Sequence, residues 1–145
     1  MYASLIVPPA VEEADIGVLY LEPGGYVTMC CHGTIAICTV LIGTGIIEAR
    51  EPETDIALDT PAGLVRAKVA VKDGRAESVT IRNVPSFLYK TGVELDVADV
   101  GRVKLDIAYG GNFYAILEAD SVGLDVKTEN ANKLISLGAK IWQAV

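Results

Sequence analysis

Polar and apolar residues alternate along several stretches of the chain, a pattern typical of half-buried β-strands. The predicted strands, two of which are apolar almost throughout, are residues 16–21, 54–59, 64–71, 77–84, 101–109 and 112–117. Asp73 and Gly74 form a dipeptide that favours a two-residue hairpin, so the strands on either side of it are expected to pair antiparallel. Residues 85–89 are expected to leave the sheet.

Two other segments predict helices. Residues 34–47 are apolar at nearly every position, so this helix has no polar face and is expected to be enclosed by other elements. Gly43 and Gly45 supply a plausible end for it. Near the carboxyl terminus, in residues 130–145, apolar residues recur every three or four positions and form one stripe: Leu134, Ile135, Leu137, Ile141 and Trp142. The pattern predicts a single α+β domain over residues 1–145, with an antiparallel, barrel-like sheet around a buried central helix and a second helix outside.

Composition and charge exclude several classes of protein. The chain has 145 residues, of which 51% are hydrophobic and 21% charged, as in a folded domain of ordinary size. Its net charge of −7 argues against a nucleic acid or an anionic membrane as partner. The longest stretch without a charged residue or histidine, residues 33–47, is too short to span a bilayer comfortably. Residues 1–10 lack the features of a signal peptide, so a cytoplasmic location is expected.

The three cysteines, Cys30, Cys31 and Cys38, lie within nine positions of one another. An odd number with two adjacent members does not fit a disulfide framework, so free thiols are expected. Cys38 falls inside the predicted buried helix and is expected in the core. Zinc sites usually separate their cysteine ligands by two to four residues and draw a second pair from elsewhere, so no metal site is predicted.

Residues 29–35 are the strongest candidates for chemistry, because they lead into the amino terminus of the predicted buried helix. Free N–H groups at such an end favour a nearby thiolate and can bind a carboxylate. A thiolate beside a carboxylate pocket is suited to removing a proton from the carbon next to that carboxylate. On the residues alone, the alternative that Cys30 and Cys31 are merely small buried residues stays open.

His32 is the only histidine, and three roles are open to it. It could be a general base or an orienter of Cys30, it could contribute its backbone N–H to a substrate, or it could be a polar residue near a helix cap. The backbone role is favoured, because a side chain rarely reaches its neighbour's thiol well. Residues 59–63 are interpreted as a turn, and residues 110–113 as a bulge or a close approach to a ligand. No glycine spacing matches a nucleotide-binding motif, so no nucleotide cofactor is expected.

Five segments resemble, in the same order, the proline racemase family, which also includes hydroxyproline 2-epimerases and trans-3-hydroxyproline dehydratases. They are residues 15–26, 29–35, 59–66, 83–89 and 108–116. The resemblance implies two mirrored halves of the diaminopimelate epimerase type, each with a barrel-like sheet around a central helix and one catalytic cysteine at the start of that helix. One thiolate removes the α-proton of proline or hydroxyproline, and the other thiol returns a proton to the opposite face. Neither pyridoxal phosphate nor a metal is used.

The same resemblance assigns roles to particular residues. Cys30 is the catalytic cysteine of the first half, and the N–H groups of Cys31 and His32 hold the substrate carboxylate. Tyr2 stands where relatives have a phenylalanine near the substrate ring. Cys31 is itself a departure, because the family has glycine there, and a larger side chain could crowd the carboxylate.

The resemblance covers only the first half of the family enzyme, and the second cysteine motif is absent from this sequence. Three arrangements are therefore open: a fragment that is inactive alone, a chain completed by a partner chain, or a homodimer in which two Cys30 thiols face each other. A further alternative is a non-catalytic domain that keeps the fold and could still bind an imino acid.

Overall fold

Nine strands and two α-helices form in the computed structural model, which describes residues 2–145. In chain order they are β1 (Ala3–Val7), β2 (Ile16–Glu22), β3 (Gly25–Val27), α1 (Cys31–Gly43), β4 (Glu53–Thr60), β5 (Gly63–Lys72), β6 (Arg75–Arg82), β7 (Phe87–Val97), β8 (Gly101–Tyr109), β9 (Phe113–Ile116) and α2 (Ala131–Ala144). Two short 3-10 helices precede α2. The chain divides into two compact units, Met1–Pro85 and Ser86–Val145.

The first unit contains a six-stranded sheet in the order β1-β2-β4-β5-β6, with β3 also paired to β2. All of these pairs are antiparallel except β2 with β4, which run parallel. The expectation of a purely antiparallel sheet is wrong at this one pair. Since the chain passes through α1 between β3 and β4, it returns to the sheet by a helical crossover, which permits a parallel neighbour.

Helix α1 is buried on one side only. It packs mainly on β6, with smaller contacts to β1 and β5. Its buried residues follow helical spacing and are Thr34, Ile37, Cys38, Leu41 and Ile42. On the other side, Ile35 is 43% exposed and Val40 is 47% exposed. The expectation that this helix would be enclosed on all sides is therefore wrong for the described residues, because the sheet of the first unit covers a single face.

The second unit is a three-stranded antiparallel sheet in the order β7-β8-β9, with α2 packed on β7. Its core consists of Val97, Val103, Leu105 and Ile141, with Leu137 packed against them. The predicted helical stripe is confirmed in part. Ile135 and Trp142, which were expected on the same face, are instead 70% and 80% exposed.

Three strands were not predicted, namely β1, the three-residue β3 and β7. Residues 3–7 show no clean alternation, yet they form β1 along the edge of β2. Strand β7 begins at Phe87, where the chain was expected to leave the sheet, and it continues to Val97. Its register with β8 shifts twice, once between Leu88 and Lys90 and again between Lys90 and Val93. Each irregularity breaks the two-residue period on which a sequence prediction depends.

None of the helices within residues 2–145 has both the length and the apolar character needed to cross a membrane.

Candidate active site

Cys30 is the N-cap residue of α1. Its backbone is extended, with φ −140° and ψ 109°, and its Sγ accepts a hydrogen bond from the Gly33 N–H at 3.3 Å. The helix therefore begins at Cys31, three residues earlier than the apolar pattern predicted. A side-chain acceptor at the N-cap satisfies one of the N–H groups that the first helical turn leaves without a partner.

The first turn of α1 leaves two further N–H groups beside the Cys30 thiol. The Thr34 N–H donates to the carbonyl oxygen of Cys30 at 2.9 Å. The N–H groups of Cys31 and His32 have no acceptor within residues 2–145, and both residues are exposed. These groups carry the partial positive charge of the helix end. A carboxylate placed there would receive two backbone hydrogen bonds and a favourable field.

Two buried hydroxyl groups lie beneath this N-cap. Tyr20, 1% exposed, and Thr34, fully buried, bring their hydroxyl oxygens to 2.7 Å of each other. The Thr34 hydroxyl also donates to the carbonyl oxygen of Cys30 at 2.9 Å. Burial raises the pKa of Tyr20, and the hydrogen bond with Thr34 opposes that shift. A threonine hydroxyl has one hydrogen, so when Thr34 donates it to the carbonyl oxygen of Cys30, the Tyr20 hydroxyl is the donor to Thr34 Oγ1.

Thr34 lies within the predicted candidate segment, residues 29–35, but neither Thr34 nor Tyr20 was assigned a role from the sequence. The available signal was the two-residue period of β2, which places Val18 and Tyr20 on the same buried face. The other signal was a threonine near the start of a mostly apolar helical segment, since a buried hydroxyl needs a hydrogen-bond partner.

Gly33 allows α1 to lie directly against β1 and β2. A Cβ atom at this position would be 2.7 Å from Ser4 Oγ and 2.8 Å from Tyr20 Cδ1. Ser4 and Tyr20 are themselves paired across the two strands. The glycine in the candidate segment is therefore required by the packing beneath the site.

The remaining candidates from the sequence, Tyr2 and residues 59–63 and 110–113, lie at three different positions in the fold. Tyr2 is 75% exposed and immediately precedes β1, at the end of the strand that carries Ser4. In the turn at residues 59–63, the Ala62 N–H donates to the carbonyl oxygen of Thr28 at 3.1 Å. This hydrogen bond attaches the turn to the segment that leads into Cys30. Residues 110–113 connect β8 to β9 in the second unit.

Cys30 belongs to no cluster of metal-binding side chains in the described part of the chain. No three His, Cys, Asp or Glu side chains within residues 2–145 lie close enough together to hold a metal ion. Two cavities of about 430 and 270 Å³ are present in the first unit, but Cys30 lines neither of them. The larger cavity is bordered by Arg66 and Arg82, which pair across β5 and β6. Because Cys31 and His32 are exposed, the candidate site is open to the surface at the start of α1.

Cys38 is fully buried, as the sequence predicted, and its burial raises the pKa of its thiol from 9.0 to about 11. Burial disfavours the thiolate in the folded state. The neutral thiol therefore contributes its full stabilisation at any pH below the pKa that it has in the unfolded chain. This stabilisation is lost as the pH rises from about 9 to about 11. We expect the free energy of unfolding to fall by up to about 3 kcal/mol over that interval. Urea unfolding across this pH range tests the expectation, which an equally steep fall in Cys38→Ala would contradict.

Comparison with known proteins identifies relatives along the whole chain. The sequence model of the family described as "Proline racemase" matches residues 1–145. Proline racemase of Clostridioides difficile is 45% identical over 141 residues, which are 97% of this chain and 42% of that protein. The 4-hydroxyproline 2-epimerase of Streptosporangium roseum is 48% identical over 145 residues, which are 100% of this chain and 44% of that protein.

Solved structures show the same likeness. The crystal structure of a hydroxyproline epimerase from Agrobacterium vitis, with bound trans-4-hydroxy-L-proline, is similar with a TM-score of 0.85 and 34% identity. The match covers 94% of this chain and 40% of that one. The chain therefore spans less than half the length of the relatives that it matches.

Proposed function

Because the chain belongs to the proline racemase family, we propose that it supplies one of two acid–base groups for proton transfer at the α-carbon of proline or hydroxyproline. The group is the thiolate of Cys30. The observation that supports this role is the position of Cys30 at the N-cap of α1, beside two N–H groups that have no acceptor in the described chain. A base and an anion-binding pair of donors thus lie together.

The proposed reaction begins with the substrate carboxylate on the N–H groups of Cys31 and His32. The Cys30 thiolate takes the α-proton, and the electron pair of the broken C–H bond moves towards the carboxylate. Hydrogen bonds from the two N–H groups and the positive end of the helix stabilise the charge that develops there. An acid on the opposite face then returns a proton to the carbon, and the configuration inverts. In this proposal the reaction needs neither pyridoxal phosphate nor a metal.

The second acid has no candidate among the remaining cysteines of this sequence. Cys31 follows Cys30 directly at the same helix end, so it cannot approach the substrate from the opposite face. Cys38 is fully buried. We propose that the chain forms one half of the diaminopimelate epimerase type and that its site is completed by a second half. That half would come from further sequence, from a partner chain or from a second copy that contributes its own Cys30.

A non-catalytic role is the second candidate. The exposed Cys31 side chain stands at the first helical position, where the family has glycine, beside the N–H groups that would bind a carboxylate. If this side chain blocks the substrate, the domain would keep the fold without the reaction.

The solution mass of the chain, measured by light scattering with and without pyrrole-2-carboxylate, tests how the site is completed. This planar acid resembles proline after loss of the α-proton. A dimer that the ligand stabilises, and that exchanges the α-proton of proline with deuterium in D2O, would support two facing copies. A monomer without exchange should gain exchange when the remaining portion of the Clostridioides difficile relative is added as a separate chain. No exchange in either form would favour the non-catalytic role.

A further inference from the structure

We propose that Tyr20 and Thr34 are positioning residues, which hold the N-cap of α1 so that the Cys30 thiol stays over the end of the helix. The proposal concerns the hydrogen-bonded series from Tyr20 Oη to Thr34 Oγ1 and from Thr34 Oγ1 to the carbonyl oxygen of Cys30. It rests on the proposed function in one respect only, namely that the positioned thiol is the catalytic base.

The Cys30 carbonyl accepts two hydrogen bonds from one residue. The Thr34 N–H and the Thr34 hydroxyl both donate to it, each at 2.9 Å. A carbonyl held from two directions fixes the orientation of the Cys30 peptide group. This in turn fixes where the side chain of Cys30 leaves the backbone, so that Sγ can accept from the Gly33 N–H.

The same type of hydrogen bond, from a threonine hydroxyl to a carbonyl oxygen, also occurs elsewhere in α1 but without a link to the sheet. The Thr39 hydroxyl donates to the carbonyl oxygen of Ile35, four residues back, at 2.9 Å. That hydroxyl is exposed, whereas Thr34 is fully buried and also bonded to Tyr20. A hydroxyl-to-carbonyl bond within one helix moves with the helix. Thr34 differs because it connects the helix to the sheet.

Tyr20 is held by its neighbours on both sides. It lies in β2, paired with Ser4 of β1 and Val27 of β3. Its ring also lies directly under Gly33, where an added Cβ would be 2.8 Å from Cδ1. Close packing of a buried ring disfavours a change of rotamer. The position of the phenol oxygen is therefore restrained, and its hydrogen bond with Thr34 restrains the N-cap in turn.

Thiol reactivity tests the proposal without any assay of the proposed reaction. The background is Cys31→Ala, which removes the exposed thiol but keeps its backbone N–H, while the buried Cys38 does not compete. The rate of Cys30 alkylation by iodoacetamide is measured from about pH 6 to about pH 10. Tyr20→Phe and Thr34→Val are compared with Tyr26→Phe on the surface and with Thr39→Val in the same helix.

Both buried substitutions are expected to slow alkylation of Cys30 near pH 7 by about three- to tenfold. The reason is that a looser N-cap loses part of the stabilisation that the helix end gives to a thiolate. The rate at high pH should change little. Thr34→Ser keeps the hydroxyl and is expected to retain the parent profile, as are both control variants.

An unchanged profile in Tyr20→Phe and Thr34→Val would overturn the proposal, even if both variants were less stable. Alkylation slowed equally in Thr34→Ser or Thr39→Val would also overturn the proposal, because the loss of the hydroxyl that connects α1 to the sheet would then not be the cause of the slower reaction. If Tyr20→Phe does not fold, the comparison of alkylation rates between Thr34→Val and Thr34→Ser tests the proposal instead. Loss of α-proton exchange with a normal alkylation profile would count against the proposed function and not against the positioning role.

Discussion

Gly33→Ala is expected to lower the free energy of unfolding by about 2 kcal/mol, although alanine ordinarily stabilises a helix by about 1 kcal/mol relative to glycine. The added methyl group would lie 2.7 Å from Ser4 Oγ and 2.8 Å from Tyr20 Cδ1. The serine hydroxyl can rotate away. The tyrosine ring cannot, because Tyr20 is 1% exposed and packed between neighbouring strands. Either the ring or the first turn of α1 must therefore shift.

Gly43→Ala is the matched control for this substitution, since it lies at the other end of the same helix and an added Cβ there meets nothing within 4 Å. It is expected to be neutral or to stabilise the protein by up to about 1 kcal/mol. Urea unfolding of the two variants measures the difference. A Gly33→Ala protein as stable as Gly43→Ala would show that the first turn does not lie against Tyr20 as described.

Cys30→Ser is expected to reduce α-proton exchange of proline by about 10²- to 10⁴-fold in the assembled form that shows exchange, which is the range that a positioned acid–base group contributes. A serine hydroxyl fits the same N-cap and can accept the Gly33 N–H, so the helix should still form. It remains protonated at neutral pH, however, and cannot act as the base. The loss should therefore appear without a loss of folded structure.

The control for this prediction is Cys38→Ala, measured for deuterium exchange by nuclear magnetic resonance under the same conditions. Cys38 is fully buried, and the raised pKa of its thiol keeps it protonated at neutral pH. Its removal is expected to lower stability but to leave the exchange rate of the folded protein unchanged. Equal exchange in Cys30→Ser and the parent would remove Cys30 from the proposed reaction.

Local patterns in the sequence determined much of this fold. Asp73 and Gly74 were predicted to turn a hairpin, and both adopt positive φ, 51° and 71°, between β5 and β6. Gly45, one of the two glycines expected to end α1, adopts φ 72° two residues beyond the last helical residue, Gly43. These features follow from φ preferences and side-chain periods that are properties of neighbouring residues, so a sequence alone can reveal them. The resemblance of the motifs also identified the family, whereas the catalytic role of Cys30 stays a prediction.

Contacts between distant parts of the chain decided the rest. The parallel pairing of β2 with β4 and the one-sided burial of α1 could not be predicted, because apolar residues show that burial is favourable but not which surface provides it. The same holds at the site. That Cys30 caps the helix over a buried hydroxyl pair depends on Tyr20 and Thr34, which are 14 residues apart and meet only when α1 packs on the sheet. A hydrogen bond between two elements is fixed by their packing, and packing is a property of the tertiary structure.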